Sequence, residues 1–234
     1  LTILKKIDED RQVIASLERQ AVWEKGWKEN FDEFIASNFD ESKLIPKFIR
    51  SNVPVRFKKR YIFPEDPDFE LNFVKVFRHW FLDNYFSNVD NIYEFGCGTG
   101  FNLLAASEIF SDKTFYGSDF VQSSVLLVNA IGDAKQIPLT AEIFDMLKPN
   151  DNYEIKKNSG VFTFGSLEQL ASKTDNMLEY LIAQRPNIIV HTEPAIELYD
   201  ENNLTDFLAM KFQGKRGYTE GFLPKLQCLH REGK

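Results

Sequence analysis

The sequence predicts an α/β protein with an open, mostly parallel sheet wrapped by helices, and three observations predict it. After Asn88, short runs rich in β-branched and aromatic residues alternate with stretches of helical periodicity, the pattern of repeated βα units. The first such run ends in a turn carrying Gly96, Gly98 and Gly100. The chain has 234 residues, 43% of them hydrophobic, which is enough for one α/β core with an appended helical segment and short for two independent catalytic domains.

The ends and the composition narrow the class. No uninterrupted apolar stretch approaches the roughly 18 residues of a spanning helix, so a helical membrane protein is excluded. A formal charge of −7 argues against broad nucleic-acid binding, which needs a basic surface. Cys97 and Cys228 are the two cysteines; they make no disulfide framework and no zinc spacing, so a reducing cytoplasm and no metal are expected. The chain opens at Leu1 without a charged, apolar leader, as a trimmed polypeptide would.

Residues 1–88 read as an N-terminal helical and lid segment, and residues 89–234 as the core. From Leu1 to about Asn38, Ile3, Leu4, Ile7, Val13, Ile14, Leu17, Val22, Trp23 and Trp27 recur at three- and four-residue spacings, which predicts amphipathic helices. Between Ser51 and Phe69, Pro54, Pro64 and Pro67 break helices, and a loop or short extended segment is expected. Helical periodicity returns from Glu70 to Phe86. Strands are expected at Asn91 to Phe95, Thr114 to Ser118, Thr140 to Asp145, Gly160 to Gly165 and Asn187 to His191. Helices are expected over Leu103 to Phe110, Ser123 to Ile131 and Leu167 to Gln184, and from Leu204 to about Leu229 with an interruption near Gly214 to Gly221.

The strongest signal is Ile92-Tyr93-Glu94-Phe95-Gly96-Cys97-Gly98-Thr99-Gly100, a strand running into a glycine turn and then a helix. Glycines let the backbone take left-handed angles and approach a ligand closely, and the helix start offers unpaired N–H groups. Glu94-Phe-Gly-Cys-Gly-Thr-Gly100 resembles motif I of class I S-adenosylmethionine-dependent methyltransferases. The rival dinucleotide fingerprint is Gly-x-Gly-x-x-Gly; here the third glycine comes one residue early and position 101 is Phe.

The resemblance implies a Rossmann-like, doubly wound fold with S-adenosylmethionine as cofactor and S-adenosylhomocysteine as product. It implies that Glu94, Gly96, Gly98 and Gly100 hold the cofactor's amino-acid end. Asp119, closing Phe115-Tyr-Gly-Ser-Asp119, would accept the ribose hydroxyls, or else cap the following helix. Gly132-Asp133-Ala134 looks like an adenine-contacting motif, but it lies 14 positions after Asp119, too few for a helix, a turn and a strand; a helix-terminal loop is expected there. Asp145, 26 positions after Asp119, leaves room for the crossover and would face the adenine, with Phe144 or Met146 against the ring or simply in the core. Ser166 joins the cofactor set.

Methyl transfer from a sulfonium needs mainly positioning and, for some acceptors, a base. His191 is the preferred general base, against a structural histidine; Glu193 would orient it or bind substrate. Glu168 either meets substrate or begins a helix as a first-turn acid. Gln169 stands where related small-molecule enzymes carry histidine. Arg56, Lys58, Lys59, Arg60 and Tyr61 form one basic-aromatic group and Lys211, Lys215, Arg216 and Tyr218 another. They suggest an anionic small substrate, a phosphorylated or sugar-containing metabolite methylated on oxygen or nitrogen, or else solvated charge. His79 and His230 receive no role. The family has two further strands after Leu229, so the C-terminal strands are expected to be missing from this chain or supplied by another. The competing functions are a non-catalytic Rossmann-like scaffold and, less favoured, an NAD(P)-dependent oxidoreductase.

Overall fold

A computed structural model describes residues 2–11 and 19–233. Val13, Ile14 and Leu17 of the amphipathic pattern lie outside the described residues. Two helices, α1 (Thr2–Glu9) and α2 (Arg19–Ala36), come first. On α2, Trp27 and Phe34 are buried, two turns apart on the inward face, with Asn30 between them. A hairpin follows, β1 (Val55–Phe57) and β2 (Arg60–Ile62), where only a loop or extended segment was expected. Its two turn residues, Lys58 and Lys59, have φ of 47° and 60°. A turn with both central residues left-handed matches strand twist, but two lysines conceal it in the sequence.

Helix α3 (Phe69–Phe86) leads into five strands and five helices: β3 (Asn91–Phe95), α4 (Phe101–Ile109), β4 (Thr114–Asp119), α5 (Gln122–Lys135), β5 (Leu139–Ile143), β6 (Ser159–Phe164), α6 (Asp175–Gln184), β7 (Ile188–Thr192), α7 (Leu204–Arg216) and α8 (Phe222–Arg231). The five core strands are parallel in the order β5-β4-β3-β6-β7. The chain steps outward from β3 to β5, then crosses back to β6 on the other side. That reversal puts the topological switch between β3 and β6, and a crevice opens beyond the carboxyl ends of such strands.

Alternation along β3 divides the core. Ile92 packs with Phe81, Phe86, Leu103, Phe115, Leu127 and Phe162 on one face, while Tyr93 and Phe95 pack with Phe144, Val161, Met177 and Tyr180 on the other. Glu94 lies between Tyr93 and Phe95 and is buried at 1% exposure, on the face of Ile92.

Three boundaries differ from expectation. β5 closes at Ile143, paired with Asp119; Asp145 instead accepts a 2.9 Å hydrogen bond from its own chain at Leu147 N–H, a side-chain-closed turn that ends the strand. Asp133 lies inside the last turn of α5 and is exposed, not in a loop. Leu167 to Gln184 is not one helix: a 3₁₀ turn at Leu167–Leu170 is separated from α6 by Ala171, whose φ is 53°.

Candidate cofactor-binding site

Beyond the carboxyl ends of β3, β4, β5 and β6 lies a cavity of about 350 Å³, within the size range of small-molecule sites. Its floor is the turn after β3. Gly96, Gly98 and Gly100 have φ of 74°, 53° and 73°, angles that a side chain resists. A Cβ on Gly96 would sit 2.4 Å from Ser166 Cβ, and one on Gly100 would sit 2.9 Å from Val128 Cγ2. The turn is fastened to β4 by Gly96 N–H and Cys97 N–H, which donate to Ser118 O at 2.7 and 3.0 Å.

Two buried acids line this floor. Glu94 Oε1 accepts from Asn102 Nδ2 at 2.7 Å, whereas Oε2 is buried without a partner. Burial pushes the carboxyl up to about 8, against the Asn102 hydrogen bond and the nearby Arg78 guanidinium. An orphaned carboxylate oxygen at a cavity wall is a receptor for a cationic donor. Asp119 Oδ2 accepts from Gly98 N–H at 3.0 Å and Oδ1 from Val121 N–H at 3.2 Å. Burial raises it to about 6 despite those bonds. The helix-capping duty weighed for Asp119 is met elsewhere: Ser123 N–H, at the start of α5, donates to both Glu24 carboxylate oxygens at 3.2 Å.

Asp145, Phe144 and Met146 line the same cavity beyond β5. Phe144 also meets Phe95 and Tyr180 with ring centroids 4.8 and 5.1 Å apart, so the core and the cavity share it. Ser166 lines the β6 side and its hydroxyl donates to Phe95 O at 2.8 Å. Gln169 lines it too; its Nε2 donates to Glu168 Oε1 at 3.1 Å, and its Oε1 is buried without a partner.

The remaining expected residues lie off the cavity wall. His191 stands on a separate groove along β7 and α3. Its Nδ1 is 2.9 Å from Thr163 Oγ1, its ring meets Phe222 edge-on, and burial lowers its pKa to about 4, so it is a neutral, packed imidazole. Glu193 accepts three N–H groups, from Ser166, Leu167 and Glu168 at 3.0–3.2 Å, and so anchors the turn that frames the cavity. Glu168, raised to about 8 by burial and then by Glu193, faces Arg19 and Tyr218 behind that turn. Arg56 donates to Tyr199 Oη at 2.6 Å and approaches Asp206, with Arg60 and Tyr61 on the same hairpin. Arg216 pairs with Asp10 at 2.7 Å and stacks on Phe212, beside Tyr218. Arg56, Lys59 and Arg216 are thus paired away from the cavity, and Arg60 and Tyr61 are exposed outside it.

Sequence reasoning missed the roof. Trp27 on α2 lies over the glycine turn, its Cζ2 only 3.0 Å from where a Gly98 Cβ would be. Trp23 stacks on it at 5.1 Å, and Arg19 lies over Trp23 at 5.5 Å while donating to Gln169 O at 2.8 Å. The i, i+4 spacing of Arg19, Trp23 and Trp27 was visible as one helix stripe; which partner that stripe covers was not.

No family model matches the chain, and no curated protein matches it. Among solved structures, one on the conversion of a disulfide bond into a thioacetal group during echinomycin biosynthesis aligns at 17% identity over 45% of this chain and 42% of that one, with a TM-score of 0.39. The plantazolicin methyltransferase BpumL in complex with SAH aligns at 14% identity over 93% of this chain and 72% of that one, TM-score 0.40. PKMT2 from Rickettsia typhi in complex with AdoHcy aligns at 23% identity over 41% of this chain and 19% of that one, TM-score 0.35. The chain therefore spans less than half the length of two of these three.

Proposed function

We propose that this chain is a class I S-adenosylmethionine-dependent methyltransferase acting on a small-molecule acceptor through oxygen or nitrogen. The observation that carries the reading is the left-handed triple-glycine turn lying under an unpartnered buried carboxylate oxygen of Glu94 and beside Asp119 at the end of the adjacent strand. Residues 89–234 would form the core and residues 1–88 the covering segment, with α2 over the turn.

The residues fit the cofactor by chemistry. Glu94 Oε2 would receive its ammonium, Asp119 has lone pairs left for the ribose hydroxyls, and Asp145 with Phe144 and Met146 would meet the adenine. When bound, S-adenosylmethionine supplies a methyl group already activated on a sulfonium. What remains for the chain is to hold the acceptor in line and exclude water. Ser166 and Gln169, on the turn held by Glu193, border the place where that acceptor would sit. Histidine does not occur among the described residues on the cavity wall, so positioning supports this reading better than base catalysis by His191.

A dinucleotide is the poorer fit. Its second fingerprint glycine exists so that the pyrophosphate can approach the backbone, and here the Trp27 ring occupies that approach to Gly98. Calorimetry with S-adenosylhomocysteine and with NAD tests the choice: binding of the first and none of the second is expected, and the reverse would overturn the proposal. Release of S-adenosylhomocysteine across a panel of small acceptors then separates an enzyme from a scaffold that only binds.

A further inference from the structure

The cavity is wider than its glycine floor, and the strand order says where the surplus lies. With the cofactor over β3, β4 and β5, the β6 side is left for the acceptor. This step rests on the cofactor reading above. Phe164 stands on that side, on β6, and the other apolar residues of the wall are Val74 from α3, Trp23 from α2, and Phe48 with Ile49 from the loop before β1. Against them stands one buried, unsatisfied acceptor atom, Gln169 Oε1. An amide oxygen without a partner is satisfied by an N–H or O–H donor and cannot take up a proton at neutral pH.

Charge on the wall points the same way. Arg19 and Lys173 are the cations among the described lining residues, against the carboxyl groups of Glu94, Asp119 and Asp145. Arg19 is already faced by Glu168 and Asp119 and bonded to Gln169 O, and Lys173 is exposed at the rim. The basic clusters at Arg56 and Arg216, which suggested a phosphorylated substrate, are paired with Asp206 and Asp10 elsewhere. Among the described residues, this wall lacks the clustered donors that a phosphate dianion needs.

We infer that the acceptor is a neutral, flat, largely apolar molecule, an aromatic alcohol or amine, lying between Phe164, Val74 and Trp23 and donating one hydrogen bond to Gln169 Oε1. The probe is 4-methylphenol, with 4-methylphenyl phosphate as its anionic counterpart, each titrated calorimetrically into the full chain saturated with S-adenosylhomocysteine. The phenol is expected to bind and the phosphate ester to bind at least tenfold more weakly. Gln169→Leu should weaken the phenol by about two- to twelvefold, the range for one neutral hydrogen bond, with S-adenosylhomocysteine affinity unchanged. Val74→Arg, which places a cation in the wall, should reverse the preference between the two probes, and it serves if the Gln169 variant does not fold. Equal or tighter binding of the phosphate ester, or no binding of the phenol to the S-adenosylhomocysteine complex, overturns the acceptor assignment alone. Failure of S-adenosylhomocysteine itself to bind overturns the cofactor reading and this inference with it.

Discussion

Binding of S-adenosylhomocysteine should expel a proton from Glu94, and the size of that effect follows from the site. In the free protein burial raises Glu94 to about 8, so at pH 7 the group carries about 0.9 proton. Asp119, at about 6, carries only about 0.1 at that pH. A ligand ammonium against Glu94 Oε2 favours the carboxylate and lowers its pKa by about three units, the upper end for an opposite charge in contact. Calorimetry at pH 7 in buffers of different ionisation enthalpy should therefore give a binding enthalpy that varies with a slope of about 0.9 proton released. Affinity should rise about fivefold from pH 7 to pH 8, because less free energy is spent deprotonating the acid. Glu94→Gln should abolish the slope and weaken binding by about 1.5–3 kcal/mol, the scale of a hydrogen bond to a charged group. A wild-type slope near zero, or a slope unchanged in the variant, would refute the pairing of Glu94 with the ammonium.

Other outcomes follow from the same geometry. Asp119→Ala should cost about 1–3 kcal/mol of cofactor affinity, read by calorimetry; unchanged affinity would remove it from the ribose site. Gly98→Ala puts a side chain at φ 53° and against Trp27, so thermal unfolding should show a loss of about 1–3 kcal/mol together with weaker S-adenosylhomocysteine binding, and wild-type values for both would contradict the tight roof. Glu24→Ala removes the acceptor for Ser123 N–H, and denaturant unfolding should show about 1 kcal/mol less stability. His191→Ala should leave turnover nearly intact while lowering stability by about 1 kcal/mol for the lost Thr163 contact; lost turnover in a folded variant would return the imidazole to the chemistry. Since the folded His191 pKa is depressed to about 4, its contribution is present above the unfolded value near 6.5 and is lost as pH falls from there toward 4.

The sheet and the glycine turn were legible because their signals are local. Strand period, helix period and positive-φ glycines are written into consecutive residues, and β3 with its turn falls where that pattern puts it. Asp119 was legible through spacing from the turn. The β1–β2 hairpin escaped because Lys58 and Lys59 take left-handed angles without the usual Asn or Gly. The break at Ala171 escaped because an alanine takes a left-handed angle there without a Gly or Asn to mark it, and because the Glu193 carboxylate that holds the start of the preceding turn is distant in sequence. Pairings between distant segments, such as Arg56 with Asp206 or Arg216 with Asp10, leave no trace in local composition. For that reason composition leaves both basic clusters open between a substrate site and solvated charge.

The same distinction bears on where specificity resides. The floor of the cavity is built from backbone conformation and two acids, and the Trp27 ring over Gly98 narrows what can approach it. The roof and far wall come from α2, α3 and the loop between them, and the hydrogen bonds that join them to the floor include Thr99 Oγ1 to Leu44 O at 2.6 Å, Arg19 to Gln169 O, Ser123 to Glu24 and Arg78 to Phe101 O at 2.8 Å. Each of these bonds ties a residue of the N-terminal segment to a turn or helix start at the carboxyl ends of the strands. Loosening any one of them should change acceptor binding more than cofactor binding, because the floor is fastened separately, through Ser118 O and Asp119 to the glycine turn itself. Thr99→Val is the sharpest case, since it deletes the buried hydrogen bond to Leu44 O with little change in side-chain shape. It should raise KM for the acceptor while S-adenosylhomocysteine affinity stays within about twofold of wild type, and equal losses in both would mean that roof and floor act as one unit.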